Sequence, residues 1–254
     1  MTALSKEELK HFLNEKVYEY NRPSFIELDP ISIPHLFSKK QDIEISGFLA
    51  ATIAWGQRKT IINNATKLVE WMDMAPYDFI VNSNSNDIKK FSKFVHRTFN
   101  GDDCMYFILR LKQLYQKSNS LESYFYHTDG VKNGISQFKD YFFKSSHLKR
   151  TEKHVSNPAK GSSAKRLNMY LRWMVRQDNA GVDFGIWQKF KPSHLFIPLD
   201  VHTGNVGRKL GLTNRKQNDW QTVEEITNAL KKLDPVDPVK YHFALFGLGI
   251  FENF

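Results

Sequence analysis

KGSSAKRLNMYLRWMVR (Lys160–Arg176) and IPLDVHTGNVGRKLGL (Ile197–Leu212) carry the most specific local patterns in this 254-residue chain. In the first, a small-residue turn, Gly161-Ser162-Ser163, precedes Leu167, Leu171, Met174 and Val175, the i, i+4, i+7, i+8 spacing of one helical face. Ser162 or Ser163 is the expected N-cap, which puts Lys165 in the first turn. In the second, Pro198 enforces an extended approach, Asp200 takes the N-cap position, and Gly211 follows the last helical residue as a C′ glycine. A lysine and a carboxylate are therefore expected at two helix N-termini, 35 residues apart in sequence. The positive end of a helix dipole disfavours an ammonium by about 0.3–1 kcal/mol at an exposed site and keeps a carboxylate ionised. Partial burial pushes a lysine the same way. A neutral amine beside a fixed carboxylate suits attack on a sugar C1′ with departure of a base, the acid stabilising the developing positive charge.

Charge points in the same direction. There are 36 Lys and Arg against 27 Asp and Glu, a net +9 that favours an anionic partner, nucleic acid before membrane. Between Lys144 and Arg176 nine basic residues face one acid, Glu152, so nearly the whole surplus sits in one stretch. Cys104 is the only cysteine, which excludes a disulfide framework and any cysteine set for zinc or an iron–sulfur cluster. No carboxylate or histidine spacing argues for a metal, and no cofactor is expected. The N-terminal MTALSKEELKHFLNE reads as an amphipathic helix rather than a signal peptide, and no apolar run reaches the roughly 18 residues of a membrane span. A cytoplasmic, nucleoid-associated setting is the expectation, with no membrane and no protein partner.

The remaining periodic segments are helical, so the expected class is all-α. Leu4, Leu9, Phe12, Leu13 and Val17 predict a first helix, and the proline-rich 23–37 segment an irregular connection. DIEISGFLAATIAWG (Asp42–Gly56) is apolar almost all round and predicts a buried central helix, capped by Asp42 and ended by Gly56. QRKT then links it to an amphipathic helix carrying Ile61, Ala65, Leu68, Val69 and Met72. Further helices are expected after Asn82–Asp87, after Gly101, over Ser120–His127 and over Val131–Lys144, with Ser145–Lys160 the longest loop. Thr222 and Glu225 have capping-box spacing ahead of a Val223, Ile226, Leu230, Leu233 stripe. Asp237-Pro238 opens a last helix, apolar enough to dock on the central one. Gly204 and Gly207 are expected to let another helix approach.

Taken in order, these pieces resemble the helix-hairpin-helix DNA glycosylase superfamily. FLAATIAWGQRKTIINNATKLV (Phe48–Val69) is similar to its early helix pair and IPLDVHTGNVGRKLGL to its catalytic-aspartate segment. The closing PVKYHFALFGLGI is similar to a bacterial family of glycosylase-related proteins of unknown function. The resemblance implies a two-lobed, all-helical unit over residues 1–254, with lobes of about 42–144 and 1–41 plus 145–254. It implies double-stranded DNA as partner, with a base flipped out of the duplex. Asp200 falls on the superfamily's catalytic aspartate and Lys165 on the lysine that, in bifunctional members, forms a Schiff base with C1′. Gln57, with Arg58 and Lys59, matches the region beside the gap left by the extruded nucleotide. Gly161, Ser162 and Ser163 stand in for the phosphate-gripping hairpin, with Lys160 and Arg166 adding charge and His202 and Thr203 following the aspartate. The hairpin reads AKGSSAK where the superfamily has Leu-Pro-Gly-x-Gly, and Lys160 is the rival nucleophile. The function so implied is base-excision repair, a glycosylase with AP-lyase activity acting on a damaged base, an oxidised purine being one such substrate. The alternative is a glycosylase-like module that binds nucleic acid without chemistry.

Overall fold

The structure is a computed structural model that describes residues 4–254. It is all-helical, and among the described residues no strand forms; the β contacts are isolated bridges, His96 with Phe99 and Ser162 with Asp219. In chain order the helices begin with α1 (Lys6–Tyr20), α2 (Ser24–Glu27), α3 (Lys40–Thr52) and α4 (Arg58–Glu70). Next come α5 (Pro76–Asn82), α6 (Ser85–Lys89), α7 (Gly101–Tyr115), α8 (Glu122–Phe125) and α9 (Val131–Phe142). The last four are α10 (Lys165–Val175), α11 (Val201–Lys209), α12 (Trp220–Leu233) and α13 (Tyr241–Phe251). None is long and apolar enough to cross a membrane. The chain divides into two compact units: residues 26–128 with 134–156, and residues 1–25 and 129–133 with 157–254.

The first of these units is built on α3, which is buried from Asp42 to Thr52, as its all-round apolar sequence predicts. Phe48 sits among Phe107, Phe138 and Phe142, at ring-centroid distances of 5.5–5.9 Å. Each buried ring of this kind contributes about 1.5–3 kcal/mol. The one carboxylate at the heart of the helix, Glu44, is fully buried and accepts from Tyr115 Oη (2.7 Å), Ser120 Oγ (2.5 Å) and the Leu121 amide (2.9 Å). Asp42 does not cap the helix: Lys39 is the N-cap, and the Asp42 carboxylate is taken by the Tyr77 amide at the start of α5. QRKT is no linker either, since Gln57 is the N-cap of α4 and Arg58 to Thr60 form its first turn.

The second unit packs α13 against α1 and α11. Two glycines make that possible. A Cβ on Gly247 would lie 2.1 Å from the Tyr20 ring, and one on Gly249 would lie 2.9 Å from His202 Cβ. Inside its own unit the apolar surface of α13 thus packs on α1 and α11. Asp237 caps a 3₁₀ turn, Pro238–Lys240, that runs straight into α13, as the Asp-Pro signal predicts. Gly207 admits Ile226 of α12, whereas Gly204 faces the Asn218 side chain instead of a helix. Helix α12 starts earlier than its Thr222-Glu225 spacing suggests. Asp219 is the cap, accepting from the Thr222 amide at 3.0 Å, while Glu225 accepts from Thr213 Oγ1.

Two stretches expected to be irregular are partly ordered. Residues 23–37 hold α2 and two 3₁₀ turns, each of the latter opened by a proline. Within residues 145–160, the 3₁₀ turn Lys149–His154 buries Thr151 and His154 against Asp103 of α7. Helix α8 supplies only one turn of the helix expected over residues 120–127.

A lysine and an aspartate at two helix ends

Lys165 opens α10 and Asp200 caps α11, and the structure brings them together: Lys165 Nζ stands 3.9 Å from Asp200 Oδ2. Their side chains are 25% and 22% exposed, so the pair is half-sheltered and still reachable from solvent. Asp200 is held from two sides. Its Oδ1 accepts the Thr203 amide at 2.9 Å, and its carbonyl accepts from Asn218 Nδ2 at 3.4 Å. The far end of α11 closes as a Schellman motif, with Leu212 N donating to Gly207 O (2.8 Å) and Gly211, at φ 72°, donating to Arg208 O (3.1 Å). The helix is therefore pinned at both ends.

The entry to α10 differs from expectation. Neither Ser162 nor Ser163 caps it; Ala164, in the left-handed region at φ 47°, takes that position without a side-chain bond. The serines serve the turn. Ser162 Oγ accepts the Ala164 amide at 3.2 Å, and Ser163 Oγ approaches the Leu199 carbonyl at 3.5 Å. Gly161, at φ 85°, follows a 3₁₀ turn ending at Lys160, and its carbonyl accepts the Trp220 amide at 3.0 Å. Thus the Gly161–Ser163 turn is tied to the start of α12 and to the segment leading into Asp200. Asp219, bridged to Ser162, and Asn218, bonded to the Asp200 carbonyl, were not anticipated; no periodic pattern marks them, because a loop residue's role lies in what it meets.

The other anticipated residues are scattered. Lys160 and His202 are exposed, Arg166 is half-buried with desolvation pushing its guanidinium down to about 10, and Thr203 is wholly buried. Gln57 and Lys59 are exposed and Arg58 half-buried, but all three belong to the other unit. Two cations of the basic run from Lys144 to Arg176 turn inward, while Lys144, Lys149, Arg150, Lys153 and Lys160 stay exposed. Arg172 and Arg176 are buried on Asp183, at 3.1 Å each, and Arg176 also reaches Asp178 (2.5 Å) and Asp237 (2.8 Å). Arg150 pairs with Asp103 and Lys149 with Glu152, both at 2.8 Å.

Sequence reasoning missed the layer behind the pair. His242 of α13 is buried, and its Nδ1 lies 2.6 Å from Arg172 Nη1. A guanidinium only donates, so Nδ1 accepts and the ring's single proton resides on Nε2. Burial first, then the charges of Arg172 and Lys165, hold the imidazole well below its usual pKa, against the opposing influence of the Pro198 carbonyl. Its signal was a lone histidine directly before the apolar run FALFGLGIF, where a polar ring needs a partner.

These features define an all-helical protein with an acid–amine pair seated on two helix N-termini. The chain belongs to the family described as "Protein of unknown function (DUF2400)", whose model matches residues 29–251. No curated protein matches it. No solved structure matches it either.

Proposed function

We propose that this protein is a DNA base-excision glycosylase with AP-lyase activity, working through Lys165 and Asp200. The observation that carries this reading is their 3.9 Å approach at a half-exposed position, from helices that begin 36 residues apart in sequence. An oxocarbenium-like sugar placed beside Asp200 would find a carboxylate fixed by the Thr203 amide, at no cost of reorganisation. The neutral Lys165 amine would form the N–C1′ bond as the C1′–base bond breaks, its electron pair leaving with the base, which takes up a proton. Transfer of a proton from that amine to O4′ as the ring C1′–O4′ bond opens gives the protonated imine. The lyase step then removes a C2′ proton and expels the 3′ phosphate. Duplex DNA is the partner this chemistry requires, with the damaged base, such as an oxidised purine, turned out of the stack.

One observation favours a second reading, a module that binds nucleic acid without chemistry. A carboxylate 3.9 Å away favours the ammonium form of Lys165, and an ammonium is no nucleophile. The helix N-terminus opposes that effect, by about 0.3–1 kcal/mol at exposed sites. Borohydride trapping decides between them. Duplexes carrying an abasic site or 8-oxoguanine are incubated with the protein and reduced. A covalent adduct, lost in Lys165→Gln and kept in Lys160→Gln, is the expected result. Tight binding with neither adduct nor base release assigns the module instead.

A further inference from the structure

About 15 Å along α11 from Asp200, counting about 1.5 Å per residue, the same unit contains a groove with no role in the chemistry above. It encloses about 920 Å³ where the N-terminal half of α1 meets the ends of α11 and α12. A volume near this value lies within the roughly 300–1,000 Å³ of small-molecule sites. Leu9, Phe12, Leu210, Leu212, Leu233 and Phe254 make its walls. Of these, Leu9, Phe12, Leu210 and Phe254 remain partly open to solvent.

Four cations stand around these apolar walls, Lys6, Arg208, Lys209 and Lys232, and no Asp or Glu lines the groove. Three of the four sit in the last turns of α11 and α12, where a cation is favoured by the helix dipole in any case. Lys6 does not: it occupies the first position of α1, the end that disfavours a positive charge. Carboxylates do not consume this charge. Arg208 donates to the Arg215 and Lys216 carbonyls and to the Asn205 and Asn218 amides, and Lys209 lies over the Phe254 ring at 5.7 Å. Among the described residues Lys6 and Lys232 make no ion pair. Lys232 also borders a second, more polar cavity of about 610 Å³, whose single acid, Glu225, is held by Thr213 at 2.6 Å. Leucine walls, a cationic mouth and a polar annex complement one kind of small molecule, an aliphatic chain ending in an anion. A docked helix would need anchor pockets along a helix face, and here the walls are mostly helix ends.

We infer that this groove binds a single-chain aliphatic carboxylate, the chain lying against Leu9, Phe12, Leu212 and Leu233 and the head group meeting Lys209 and Lys232. The inference is independent of the Lys165–Asp200 reading. Titration calorimetry of the full chain with sodium dodecanoate, below its micelle concentration, tests it. Saturable one-to-one binding is expected, with butyrate and dodecyltrimethylammonium not binding. Lys209→Glu/Lys232→Glu weakens it roughly tenfold through the head group. Phe12→Asp abolishes it through the chain, and circular dichroism of each variant checks that the fold is kept; the two lysines are exposed, so the double variant retains its fold whatever Phe12→Asp does. Absence of saturable binding overturns the inference. So does equal binding of the cationic amphiphile, or an affinity indifferent to the lysine reversal. Self-association through this face without dodecanoate binding assigns the groove to a second copy and overturns it too.

Discussion

Asp200 has two jobs that one residue can be made to separate. Its Oδ1 caps α11 through the Thr203 amide, while Oδ2 faces Lys165. Asparagine caps about as well as aspartate, whereas alanine forfeits about 0.5–2 kcal/mol. Asp200→Ala is therefore expected to lower the urea midpoint and Asp200→Asn to leave it within a few tenths of a kcal/mol. If the carboxylate serves chemistry, both substitutions abolish base release equally. A loss of base release that follows the loss of stability, spared in the asparagine variant, would reduce Asp200 to a cap.

At the scale of the helix, the packing of α13 rests on positions where a side chain cannot fit. Gly247→Ala places a methyl 2.1 Å from Tyr20 Cδ2. That ring cannot swing aside, because it stacks on Phe251 at 5.6 Å and its hydroxyl is bonded to Glu252. Alanine in a helix gains about 0.8–1.0 kcal/mol over glycine, while overpacking costs about 1–3 kcal/mol. With the Tyr20 ring fixed, the clash wins. A net loss of about 1–2 kcal/mol is expected by urea denaturation, recovered in part when Tyr20→Ala is combined with it. A stabilised Gly247→Ala would mean that α1 and α13 have room to move apart.

Across the second unit, buried Asp183 and the half-buried Asp178 and Asp237 gather the buried Arg172, Arg176 and His242 into a single network. Such a network makes stability depend on pH in a definite direction. The His242 ring stays neutral when folded, held there by burial and by the charges of Arg172 and Lys165, but titrates near 6.5 when unfolded. Below that value the unfolded chain binds a proton that the folded chain refuses. This contribution is therefore complete above about pH 6.5 and is lost as pH falls, at up to about 1.4 kcal/mol per pH unit. His242→Gln can still accept from Arg172 and does not titrate, so its unfolding free energy is expected to fall less between pH 7 and pH 5. Parallel curves for the two proteins would show that the folded ring is protonated. Replacing Asp183 with alanine leaves the buried Arg172 guanidinium without a carboxylate, while Arg176 keeps Asp178 and Asp237, and is expected to cost about 3–5 kcal/mol.

The sequence by itself determined the helical class, the burial of α3, the Asp200 cap, the Gly211 terminus and the Asp237-Pro238 start. Each depends on spacing or on a residue's own backbone preference, and both are local. It also set a lysine and an aspartate at two helix starts. Only the tertiary structure decided that these starts meet, that Ala164 rather than a serine opens α10, and that the carboxylate of Asp42 turns to Tyr77. It alone turned two of the arginines in a basic stretch inward onto Asp183 and placed His242 behind the pair. A polar side chain takes the partner that folding delivers, often from far along the chain, and no pattern of neighbouring residues encodes that choice.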